Sequence, residues 1–198
     1  MKNLKLAVAV LVVFCVSYRA NAQQLQVTLD PAQTKIEWTL TATLHTVHGT
    51  FRLRSGSLSF DQRTLNANGE FVVDATSGDS GNASRDKNMN KEVLESKRYP
   101  EITFVPRKVT GSVAAQGAST VQVQGTFHIH GADHDVTLSV PVQINGSEIR
   151  ASASFAVPYQ AWGMKNPSTL FLHVDDNVQI SVSAVGKLTS AGAAQTGH

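Results

Sequence analysis

The chain has 198 residues, 41% of them hydrophobic and 16% charged, with a formal net charge of +2 and a single cysteine. With neither a basic surplus nor a Lys/Arg run, it lacks the electrostatic footprint of a nucleic-acid binder. One cysteine excludes a disulfide framework and a thiolate metal cluster, and the length fits one domain with a substantial core.

Lys2 and Lys5 precede an apolar run over residues 6–16, and a short polar stretch ends in Ala20-Asn21-Ala22. A basic start, a short apolar middle and small residues at the end predict a signal peptide over 1–22, cut after Ala22, and hence a periplasmic or secreted protein. The apolar run is too short to span a bilayer as a helix, so no transmembrane segment is expected in the mature chain. Phe14 before Cys15 does not suit lipoprotein processing. Cleavage would remove Lys2, Lys5, Arg19 and Cys15 and no acid. That leaves 14 of the 17 basic residues against 15 acidic ones, a net charge of −1 without a thiol.

From Gln23 onward most segments alternate apolar and polar residues with period two, which turns one face of each strand toward a common interior. Ile36, Trp38 and Leu40 form the first clear set. Val47, Gly49, Phe51 and Leu53 follow, then Leu58 with Phe60, and Phe71 with Val73. Between 82 and 97 alternation stops, and Met89 and Val93 stand at i,i+4. This stretch predicts a short helix, capped near Asn82 or Ser84 and ended before Tyr99-Pro100. Alternation resumes with Val121, Val123, Phe127 and Ile129, then with the even positions from Val136 to Ile144. The series from Ile149 to Val157 and from Val178 to Ala184 complete it. Asn66-Ala67-Asn68-Gly69, Gly131-Ala132-Asp133 and Asn145-Gly146 read as turns, and Pro141 on an outward position asks for an edge or a bulge. One-sided strands without a βαβ rhythm predict an all-β, closed antiparallel lipocalin-like barrel of about eight strands over 23–188, with the helix at one end. A two-sheet sandwich is the competing architecture. Residues 189–198, rich in Ala, Gly, Thr and Ser, are expected to be a disordered tail.

These residues resemble the YceI-like family. The likeness runs from Leu29-Asp30-Pro31 and Lys35-Ile36-Glu37-Trp38 through Val47-His48-Gly49-Thr50-Phe51. Its most specific part is Asn82-Ala83-Ser84-Arg85-Asp86 with Tyr99-Pro100-Glu101-Ile102-Thr103-Phe104, similar to the family's N-x-x-R-D helix and Y-P-x-I-x-F strand. Gly125 to Gly131 followed by Val136-Thr137-Leu138 resembles its hairpin. The resemblance implies an exported barrel that binds a polyisoprenoid, a quinone-type chain or a fatty amide, without catalysis or cofactor. Such barrels can pair as homodimers, although no exposed apolar strip marks an interface. Trp162-Gly163-Met164 stands where the family usually shows Phe-Gly and an aliphatic residue, and Lys165-Asn166-Pro167-Ser168 departs from it, which bears on ligand identity.

Trp38, Phe51, Phe71, Phe104, Phe127 and Phe155 place more aromatic bulk inward than a small barrel needs. A barrel of this size either fills its interior or holds one ligand, and the pattern alone leaves both open. The resemblance implies the cavity, with Met89, Val93, Trp162 and Met164 as further lining. Arg85 has donors suited to a phosphate or carboxylate head group, against the plainer reading of a surface or helix-start charge. A filled barrel acting through its surface in an envelope complex is the alternative function.

A histidine metal site is the weaker alternative. His128 and His130 share the solvent parity of Gln122 and Gln124, and no local carboxylate or thiolate completes a set with them or with His45, His48 and His134. Gly78-Asp79-Ser80-Gly81 mimics a protease nucleophile motif, but a turn before a helix explains it better.

Overall fold

The computed structural model describes residues 24–43, 45–168 and 173–190. The expected signal peptide lies outside them, as do positions 191–198 of the expected tail. The alternation becomes nine strands: β1 (Gln24–Leu29), β2 (Lys35–Thr41), β3 (Thr46–Asp61), β4 (Ala67–Asp79), β5 (Glu101–Thr110), β6 (Gly117–Ile129), β7 (Ala132–Asn145), β8 (Glu148–Val157) and β9 (Val178–Ser190). Every neighbouring pair is antiparallel, and the sheet closes on itself.

Nine strands make eight staves, because β1 and β2 lie end to end in one position. β1 pairs with residues 57–61 of β3 and 186–190 of β9, while β2 pairs with 46–51 and 179–183 of the same two strands. The bend between them is built by Asp30, whose carboxylate accepts from the Ala32 N–H (2.9 Å) and from Gln33 Nε2 (2.6 Å). These bonds, the Gln33 one foremost, hold its carboxyl below the usual carboxylate range. The bend is stitched to the next stave by the Asp30 N–H on Val185 O (2.8 Å) and by the Val185 N–H on Thr34 Oγ1 (3.4 Å). Of two register shifts of β3 against β4, the one between Leu53 and Ser55 adds a residue to β3 and switches the inward parity from Phe51 and Leu53 to Leu58 and Phe60.

Three local expectations need correction. The β3–β4 turn lies at 61–66 rather than 66–69. Asp61 Oδ1 accepts from the N–H groups of Arg63 and Thr64 there, so the Asx turn forms before the Asn-Gly signal is reached and Ala67–Gly69 already belongs to β4. The last strand runs to Ser190, two residues past the expected boundary, because β1 offers Leu25 and Gln26 as partners. His130 leaves the solvent face: with φ of 53° beside Gly131 at 76° it occupies the tight β6–β7 turn, and its ring packs on Tyr99 at 4.9 Å.

One end of the barrel is a floor of packed side chains, with Phe60, Ala67, Val109, Val121, Val142 and Ile144 buried together. A second cluster near the other end joins Ile129, Val157, Tyr159 and Met164. Between them Trp38 stands opposite Gly49 in register and covers it. A methyl group at Gly49 would overlap the indole and sit 2.6 Å from Asp79 O. Gly49→Ala should therefore lower the unfolding free energy by about 1–3 kcal/mol, read as a lower urea midpoint at unchanged slope.

Candidate functional site

Enclosed by the staves is a cavity of about 1240 Å³. Its wall is almost wholly apolar because strand alternation sends only Val, Leu, Ile, Ala and aromatic side chains inward along most of its depth. Filled with liquid at roughly 30 Å³ per molecule, it would take about 40 waters with few polar partners among them. Liquid water is thus a poor occupant.

All eleven residues singled out in the sequence line this cavity: Trp38, Phe51, Phe71, Arg85, Met89, Val93, Phe104, Phe127, Phe155, Trp162 and Met164. The aromatic ones are ordered by register. Phe71, Phe104 and Phe127 are cross-strand partners on β4, β5 and β6, with ring centroids 6.2 and 4.9 Å apart. Phe155 of β8 reaches past β7 to Phe127 at 5.4 Å. The belt crosses five staves with tilted or offset contacts of the kind aromatic pairs favour. Trp38 is buried and its Nε1 has no hydrogen-bond partner, an unpaired donor on the wall.

The helix spans the end opposite the floor. α1 (Ala83–Asn88) starts where Asn82 Oδ1 accepts from the N–H groups of Ser84 (3.1 Å) and Arg85 (3.0 Å), which identifies the cap as Asn82 rather than Ser84. It widens into a π turn over Met89–Val93. Met89 lies above Gly78 and Phe51, in space that a side chain at Gly78 would fill.

Arg85 is half-buried at this rim. Its Nε donates to Ser80 Oγ (2.8 Å) and its Nη2 to Ser80 O (2.9 Å), while the Ser80 hydroxyl and N–H donate to Asp86 Oδ1. Among the described residues no carboxylate lies within ion-pair distance of Arg85. The guanidinium is aimed at the mouth by the two Ser80 oxygens, with the Asp86 carboxylate on the far side of the same hydroxyl and no direct ion pair. The same bonds occupy Ser80, and the protease-like tetrapeptide is the end of β4 (Gly78, Asp79) and its link to α1 (Ser80, Gly81).

The rest of the rim comes from segments whose sequence carried little signal. Thr43 and Ala42 after β2 are tied to His173 and Val174, and Asn166 Nδ2 donates to Val174 O (3.0 Å) and Asp176 Oδ1 (2.8 Å). Lys165 Nζ meets Glu92 Oε2 at 3.2 Å and so joins this segment to the helix. Tyr159 is buried, donates to Asp175 O (2.7 Å), and has its phenol pushed up to about 12 by burial and the nearby Asp176 and Asp175.

Histidines do not gather. His128 Nδ1 meets Asp133 Oδ1 (2.7 Å) on the outer wall, His48 Nδ1 meets Thr39 Oγ1 (2.9 Å), and His130 faces Tyr99. Among the described residues no three of His, Cys, Asp and Glu are grouped to hold a metal ion. His134, weighed in the sequence only as a neighbour in a histidine metal set, turns inward instead. It shares the even, inward parity of Val136 and Leu138, a signal present in the pattern, and its ring stacks on Trp162 at 4.0 Å and 5°.

A family model described as YceI-like domain matches residues 27–186. A UPF0312 protein of Vibrio campbellii is 27% identical over 141 residues, covering 70% of this chain and 72% of that protein. A UPF0312 protein of Pseudomonas putida is 26% identical over 177 residues, covering 84% and 88%. Among solved structures, BcnA of Burkholderia cenocepacia superposes with a TM-score of 0.64 at 22% identity, over 79% of this chain and 98% of that one. A polyisoprenoid binding domain from Saccharophagus degradans, implicated in plant cell wall breakdown, gives 0.66 at 15% identity, over 82% and 98%. At these identities the two structures establish the fold.

Burial lowers the His134 pKa, with His128 adding to the effect and Asp133 opposing it. The unfolded chain therefore binds a proton that the folded one resists, and stability should decline as pH falls below about 6.5. His134→Phe, which preserves a ring against Trp162, should flatten that part of the curve when urea midpoints are followed through acid. An unchanged decline would assign it to other groups.

Proposed function

Because the chain belongs to the YceI-like family, and its matched span takes in nearly the whole barrel, we propose that it is a non-catalytic carrier of a long apolar chain. The observation that carries this reading is the enclosed apolar cavity with its charged groups confined to one end. A chain burying roughly 400 Å² there would gain about 10 kcal/mol at 25 cal/mol per Å². That is enough to outweigh association costs at the lower end of roughly 4–15 kcal/mol. The ligand class is a polyisoprenoid, a quinone-type side chain or a fatty amide. The Saccharophagus domain, described as polyisoprenoid binding, supports the first of these. The polar end of the cargo sits at the helix-bearing mouth, beside the Arg85 guanidinium that Ser80 holds there.

Residues 1–22 carry the features of an export signal, so the carrier works in the periplasm or outside the cell. The alternative, a filled barrel acting through its surface, has less support. The interior holds open volume, and among the described residues Val105 is the single large apolar side chain classed as exposed.

Native mass spectrometry of the protein purified from cells, followed by organic extraction, should release a stoichiometric long-chain amphiphile. A clean apoprotein that stays empty after incubation with prenyl and fatty ligands would refute the carrier. Phe127→Asp with Phe155→Asp should cut lipid retention more than tenfold while circular dichroism remains that of the barrel. Undiminished retention in the folded double variant would be equally damaging.

A further inference from the structure

The wall of the barrel is not equally sewn. β6 and β7 pair along thirteen residues and β8 and β9 along ten, but β7 and β8 pair only through 142–145 with 148–151. The ladder stops beside Pro141, which has no N–H to continue it. From there to the mouth the facing edges of β7 (132–141) and β8 (152–157) have no ladder partner. The other short ladder, β4 with β5, is secured at both ends, by the Ala75 N–H on Pro100 O (3.1 Å) and the Val109 N–H on Leu65 O (3.0 Å).

Two further observations converge on this seam. At its lower end an outer groove runs over Val142, Ala151, Ser152 and Ala184, which also line the internal cavity, so only the thickness of one strand separates the two there. At its upper end Trp162, in the turn after β8, stacks on His134 of β7 and bridges the two staves above the unpaired stretch. The lower part of the unpaired β8 edge carries small side chains, Ala153 inward and Ser152 and Ser154 outward, with Phe155 and Val157 inward nearer the mouth.

We propose that this seam is a lateral entrance through which the apolar chain of the ligand passes sideways into the cavity, the Trp162–His134 stack holding it shut above. Parting β7 from β8 here breaks no ladder hydrogen bond, whereas parting any fully paired neighbours would break several. A slot continuous with the mouth lets a long tail enter along its length while its polar end stays outside. Threading it tip first through the rim is then unnecessary. The inference rests on the carrier reading above.

Its test is a staple across the seam. Continuing the β7–β8 register sets Ser139 opposite Ser154, both exposed on the outer wall. In a Cys15→Ser background, Ser139→Cys with Ser154→Cys is closed by a short bis-maleimide, each thiol adding across one maleimide double bond. Uptake of pyrene-labelled hexadecanoic acid from phosphatidylcholine vesicles is then compared with that of the unstapled protein. Uptake should slow at least tenfold on stapling while the amount bound at equilibrium is unchanged. Equal rates before and after stapling would overturn the lateral entrance and leave the carrier reading intact. No binding even in the unstapled protein would overturn the carrier reading itself. Trp162→Ala, which leaves the seam without its upper stack, should release the probe several-fold faster, and unaltered release would also count against the proposal.

Discussion

The closure of the sheet depends on one stave being made from two strands laid end to end. Without the bend at Asp30, β1 could not continue β2 along the same two neighbours, and β3 and β9 would each expose half their length as an open edge. With it, hydrogen bonding runs around the ring, and the inward face of every strand points at a common axis. Side chains of ordinary size projecting from eight staves meet at the floor, where Phe60 and Ile144 are large enough to touch their neighbours. Above the floor the inward side chains no longer meet across the barrel, and the interior stays open. The cavity therefore follows from closure and side-chain size together.

The charge distribution follows from the same geometry. A staved wall has no place for an inward charge, so the polar groups that line the cavity come mainly from the segments joining strands at the mouth. Arg85 is the clearest case, since Ser80 orients it and, among the described residues, no acid pairs with it directly. Lys165 is different in kind, because Glu92 already compensates it and the pair serves to tie two rim segments together.

Much of this was legible in the sequence wherever period-two alternation held. The inward aromatics, the helix with its Met89–Val93 face and the edge demanded by Pro141 all follow from patterns a few residues long. What escaped was non-local or conformational. Nothing near Ala42 announces its bridge to Val174, and Lys165-Asn166-Pro167-Ser168 looks like any polar turn until Asn166 reaches across it. His130 was assigned to the solvent face by counting along β6, but a left-handed backbone ends that count one residue early. His134 was weighed only as a metal-ligand neighbour of His128-x-His130, although the same counting along β7 puts it on the inward face.

The open volume also sets how the molecule answers compression. Pressure favours whichever state occupies less space, and the volume lost on unfolding grows with the internal voids that unfolding eliminates. A barrel surrounding about 1240 Å³ is soft to hydrostatic load when empty, and hardens once an occupant takes up that space. Loaded and unloaded forms of one sequence would then differ more in the pressure they withstand than in any contact visible on their outer surface.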